Sequence, residues 1–193
     1  MAKTKRLSPR QKLFRAIADD DLKTVKAIFA RNRNPRKLIE GYNADGETPL
    51  HAACWNDRFE IAAFLLSAGA EVGAWDKHGN TPLHDACRNP NPKAAAFLLK
   101  HGAGIYERDD AMCCTTPIDL ALAGDENLPE GQEEMKELLR VFIEHAPNDI
   151  LNAILELSEC SARSLRLEWF QELAPELYFS KFCTSDISPG GSL

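Results

Sequence analysis

Apolar positions along the chain gather into short stretches of two kinds. In the first, Leu13, Phe14 and Ile17, then Val25, Ile28 and Phe29, recur at three- and four-residue intervals. That spacing predicts two amphipathic helices with a charged outer face. The second kind is denser. Ile61, Ala62, Ala63, Phe64, Leu65 and Leu66 run without a polar residue, as do Ala94, Ala95, Ala96, Phe97, Leu98 and Leu99. Each run is followed three residues later by Gly-Ala, which predicts a helix closed in the left-handed conformation. Met135, Leu138, Leu139, Phe142 and Ile143 form a further helical stripe that Pro147 stops. Ile150, Leu151, Ile154 and Leu155 predict a helix over residues 148–159. Leu165, Leu167, Trp169, Phe170 and Leu173 predict another over 164–173. No run approaches the about 20 apolar residues of a membrane span.

The dense runs are part of a longer repetition. Thr48-Pro49-Leu50-His51 returns as Thr81-Pro82-Leu83-His84 after 33 residues, and more weakly as Thr116-Pro117-Ile118-Asp119 after 35. Gly46 and Gly79, Cys54 and Cys87, Gly69-Ala70 and Gly102-Ala103 keep the same step. Each residue type has a physical task. Threonine offers an oxygen to an orphan amide at a helix start, and proline fits the first helical position, where no donor is needed. Leu50 and Leu83 open a buried stripe. The small Ala53 and Ala86 let neighbouring helices approach. Asp45-Gly46 and His78-Gly79 predict the turns leading into each first helix.

A 33-residue period carrying Thr-Pro-Leu-His resembles the ankyrin-repeat family. The resemblance implies an all-α solenoid of helix-turn-helix units, with β-hairpin fingers and helical caps. It implies repeats at approximately 8–42, 43–75, 76–112 and 113–147, behind a basic extension at 1–7. The stretch 31–42 reads as a lengthened connector, and 125–134 as an insertion between the helices of the last repeat. Capping helices are expected over 148–183, since a solenoid needs an atypical end unit to cover its last apolar face. A disordered tail is expected over 184–193.

Charge and cysteine content narrow the setting. Residues 1–37 carry a net +9 and the remainder −15. A basic head on an acidic body allows a nucleic-acid or anionic-surface arm, but its basic residues are interleaved with helical apolar positions, which favours a solvated helix face. The basic N-terminus has no apolar core after it, so no secretory signal is expected. The six cysteines, with Cys113 and Cys114 adjacent, are expected as reduced thiols in the cytosol or nucleus. Delivery into a host cell is the variant for an intracellular bacterial source.

Two His-x-x-Cys pairs, His51/Cys54 and His84/Cys87, raise a zinc or thiol-catalytic reading. The pairs lie on successive repeats, whose helices pack about 8–10 Å apart. In the family pattern the histidines hydrogen-bond backbone between repeats, and the cysteines stand where alanine is usual. The structural reading is preferred, with no cofactor, no metal and no enzymatic activity expected. Asp19, Asp20 and Asp21 fall at a helix–helix turn, with Asp21 as a cap. The acidic insertion reads as solvated, and Cys113-Cys114 as part of a distorted finger.

The resemblance implies that a partner protein lies in the groove formed by the fingers and first helices. Carried over position by position, this gives Trp55 and Asn56, then Trp75, Lys77 and His78, then Arg88 and Asn89, then Arg108. Ala44, Asp45, Glu47, Asn80 and Asp110 flank them. Tryptophan and arginine are enriched at interface hot spots, so Trp55, Trp75 and Arg88 are the expected anchors. Lys77, His78 and Asn89 would supply polar selectivity. A monomeric adaptor, inhibitor or effector is expected, with no membrane insertion and nucleic acid as the lesser alternative.

Overall fold

Ser8 opens the first helix with a reciprocal cap, its hydroxyl accepting from the Gln11 amide at 3.2 Å while the Gln11 side chain accepts from the Ser8 amide at 2.9 Å. This helix, α1 (Pro9–Ala18), starts a series that a computed structural model describes over residues 7–108, 115–122, 132–156 and 161–182. The expected tail at 184–193, the extension before Leu7, Cys113-Cys114 and most of the insertion at 125–134 lie outside the described residues. The other helices are α2 (Leu22–Arg31), α3 (Arg36–Ile39), α4 (Pro49–Trp55), α5 (Phe59–Ser67), α6 (Pro82–Arg88) and α7 (Pro92–Lys100). They continue with α8 (Pro117–Leu122), α9 (Gln132–His145), α10 (Pro147–Glu156), α11 (Ser161–Leu173) and α12 (Pro175–Phe182). Among the described residues none is long and apolar enough to cross a membrane.

The helices stack in two layers. In the inner layer α1 packs on α4, α4 on α6 and α6 on α8. In the outer layer α2 packs on α5, with Phe29 edge-on to Phe64 at 5.3 Å, and α7 packs on α9. Phe59 of α5 meets Phe97 of α7 at 5.4 Å. Leu13, Ile17, Leu50, Ile61, Leu65, Leu83, Leu98, Leu138 and Phe142 are fully buried between the layers. α10 covers α8 and α9, α11 lies on α9 and α10, and α12 lies on α11. There Arg166 is buried with its guanidinium 4.4 Å from the Trp169 ring centroid.

Gly69 and Gly102 end α5 and α7 with φ of +98° and +85°. A Cβ at either would touch nothing within 4 Å, so glycine is needed there for its backbone and not for space. The turns between paired helices are tied from repeat to repeat. Arg58 reaches back to the Ala18 carbonyl at 3.4 Å and to Asp20 at 3.7 Å. Asn91 reaches back to Asp57 at 2.9 Å.

Three expectations need correction. The connector 31–42 contains α3, because Leu38 and Ile39 turn inward and are buried. The last repeat's second helix starts at Gln132, three residues inside the expected insertion. The fingers expected as β-hairpins contain no strand among the described residues. Each is a tight turn in which one residue pair, Asn43 with Glu47 or Asp76 with Asn80, is joined by a single backbone bond of 2.9 Å, too little for a ladder.

Candidate functional site

Each of the two described fingers is built around one side chain at its start. Asn43 accepts from the amides of Asp45 and Glu47, both at 2.9 Å. Thirty-three residues on, buried Asp76 accepts from the amides of His78 and Asn80, both at 2.8 Å. The sequence reading missed this pair, although its 33-residue step was available as a signal. The two fingers are joined tip to tip: the Lys77 amide donates to the Gly46 carbonyl at 3.0 Å, and His78 Nε2 donates to the Asp45 carbonyl at 2.8 Å.

Below the fingers the motif histidines hold the repeats in register. His51 Nε2 lies 3.1 Å from the Asn80 carbonyl, and His84 Nε2 lies 3.1 Å from that of Thr115. A carbonyl only accepts, so both Nε2 atoms carry the proton. Nδ1 of each then accepts from the hydroxyl of Thr48 or Thr81, at 2.8 Å in both. Burial drives His51 down to about 4, so the ring is neutral.

His51, Asp76 and Asp85 bring ligand-type atoms within 4.8 Å of one another. Both ring nitrogens of His51 are committed, however, and Asp76 is engaged by the finger amides. This donor set does not fit a metal. Burial also pushes the Cys54 thiol up to about 12 and raises Cys87, so neither is a ready thiolate.

The expected contact residues are all exposed, but many are engaged within the chain. Lys77 holds its ammonium 5.3 Å from the Tyr42 ring centroid. His78 is the finger bridge. Trp75, 41% exposed, leans on the His84 ring with centroids 6.2 Å apart. Arg88 lies along α6, donating to Asn80 Oδ1 at 3.0 Å and standing 3.7 Å from Asp85 Oδ1. Asn56 caps the end of α4, its side chain donating to the Ala52 carbonyl at 2.7 Å. Arg108 makes no hydrogen bond or ion pair with a described residue. Trp55, at the far end of α4, is 54% exposed.

The structure brings Trp55 and Asn89 into one cleft of about 600 Å³ between the ends of α4 and α6, the Pro90-Asn91 turn and the start of α7. Asp85, which the sequence reading did not select, is on the wall of the same cleft. Trp75, Lys77, His78 and Arg88 gather at the finger end instead. α4 is buried from Pro49 to Cys54, so what α4 and α6 present is Trp55, the half-buried Asp85 and Arg88, with Trp75 at the finger end.

In a comparison with protein families, the model described as ankyrin repeats (3 copies) matches residues 13–109. The matched span contains all eight expected contact residues, the second half of α1, α2 to α7 and the two described finger turns.

Proposed function

This chain belongs to the ankyrin-repeat family, whose repeats are in general protein–protein interaction modules and typically not enzymes, and from that premise we propose that it is an adaptor or inhibitor that docks a partner protein along the exposed surface of α4 and α6. The observation that carries this reading is the pair of exposed tryptophans. Trp55 and Trp75 border adjacent inner helices from opposite ends, and tryptophan is enriched among interface hot spots. Between them lie groups able to bond a polypeptide: Arg88, Asn89, Asp85 and the finger residues Lys77 and His78. The arrangement is rigid, since Arg88 and His78 are already held by Asn80 and Asp45. A pre-ordered surface loses little entropy on binding.

The test is affinity capture with the intact protein and with a Trp55→Ala, Trp75→Ala, Arg88→Ala variant, after circular dichroism has shown that the variant keeps its helix content and melting cooperativity. A partner held by the first and lost by the second supports the reading. Partners captured equally by both would contradict it.

A further inference from the structure

Asp85 occupies the position between His84 and Ala86 in the repeated motif, where the preceding repeat has Ala52. It is the odd residue of the inner surface. Its side chain is only 21% exposed. Among the described residues it receives no hydrogen bond, and its one ion pair, with Arg88, is a loose 3.7 Å contact. A carboxylate has four lone-pair sites to satisfy, so most of its accepting capacity is unused. The cleft it lines is also lined by the indole of Trp55 and by two further carboxylates, Asp57 and Glu134, against one ammonium, Lys93. Asp57 is partly committed, accepting from Asn91 at 2.9 Å. An indole and an incompletely bonded carboxylate lining one concave, net negative cleft supply the chemistry that takes a cation: a ring face attracts it and the carboxylate neutralises it.

We propose that the cleft between Trp55 and Asp85 binds an arginine or lysine side chain projected by the partner protein. The inference rests on the docking reading above and names what that surface selects. The planar guanidinium suits it better than the ammonium, since it can stack on an indole while donating in plane to a carboxylate. Occupation by a cation also carries a pH signature. Burial, then the neighbouring charges of Asp76 and Glu47, raise Asp85 to about 6, against the lowering effects of Arg88 and His78. His51, the other group facing it, is neutral over this range. A bound cation favours the ionised carboxyl, so affinity rises as pH increases through about 6.

The test uses the full chain and N-acetyl-arginine amide as the probe, taken to millimolar concentration, with the indole N–H resonances of the three tryptophans followed by NMR. A Trp55→Phe variant assigns the Trp55 signal. Saturable movement of that signal with the arginine amide, and none with N-acetyl-leucine amide or N-acetyl-glutamate amide, is expected. Asp85→Asn, a near-isosteric change that relieves a half-buried charge, should keep the fold and weaken the arginine amide by about fivefold to tenfold. The wild-type affinity should also fall between pH 7.5 and pH 5, and that dependence should shrink in the variant. No movement of the Trp55 signal, equal movement with the leucine or glutamate amide, or an unchanged response in Asp85→Asn would each overturn the cation site. The docking reading has its own readout: if the tryptophan substitutions still release the partner, that reading stands and only the cation preference fails.

Discussion

The imidazole of His51 donates to the carbonyl of Asn80 at 3.1 Å, linking the first helix of one repeat to the finger of the next. The same carbonyl accepts the Asp76 amide at 2.9 Å, while Asp76 organises the finger and Asn80 holds Arg88. Register, finger shape and the arginine of the inner surface therefore share one network.

Asp76 is the network's most exacting member. Its carboxylate accepts two finger amides while 92% buried from solvent (8% exposed). Asp76→Ala should destabilise the protein by about 2–3 kcal/mol, since it leaves two amides without acceptors. Asp76→Asn, which keeps one oxygen, should lose less. Urea denaturation followed by circular dichroism measures both.

Two groups give stability opposite dependences on acid. His51 is lowered to about 4 in the folded protein from 6.5. The unfolded chain therefore binds the extra proton, and stability falls as pH drops from about 6.5 towards 4. Asp85 is raised to about 6 from 3.8. Its folded form binds the extra proton, so its unfavourable charge is relieved as pH falls through 6 towards 4. Asp85→Asn should raise stability at pH 7.5 by roughly 1–2 kcal/mol. It should also expose the full His51 loss on acidification. Thermal melts of both proteins at pH 7.5 and pH 5 test the signs.

Gly69 and Gly102 offer a clean measure of backbone strain. Neither has a neighbour that an added methyl would meet. Gly69→Ala and Gly102→Ala should each cost about 1 kcal/mol, and the double variant should lose close to the sum. A cost confined to one site would mean that contact, and not φ, sets the penalty.

Cys54 and Cys87 should be silent towards thiol reagents in the folded protein, since both are buried and burial holds both thiols protonated. Iodoacetamide labelling mapped by peptide mass should mark them only in denaturant. Labelling under native conditions would reveal local opening of α4 or α6.

Much of this architecture was legible in the chain. The 33-residue step, the Gly-Ala stops and the motif histidines point to α4 to α7 and to the His51 bridge, because each is a local rule repeated. What escaped depends on context that a local pattern does not carry. α3 is four residues long, too short to display a period, and exists because Leu38 and Ile39 find the core. Asp20 and Asp57 adopt φ of +56° and +58° in the inter-helix turns, which their neighbours do not announce. The family resemblance implies hairpin fingers, yet Asn43 and Asp76 take up the amides that a ladder would use. At the candidate surface, the exposed Trp55 and Trp75 were legible as unusual residues at variable positions. Asp85 was not, since its burial and its place beside Trp55 arise only when α6 stacks on α4.

The most direct measurement is photo-crosslinking with benzoylphenylalanine placed singly at positions 55, 75, 63 and 177. Trp55 and Trp75 lie at the ends of the inner surface, whereas Ala63 and Leu177 are exposed on α5 and α12. With the captured partner present, crosslinks are expected from positions 55 and 75 and not from 63 or 177. Crosslinking confined to 63 or 177 would contradict docking on α4 and α6.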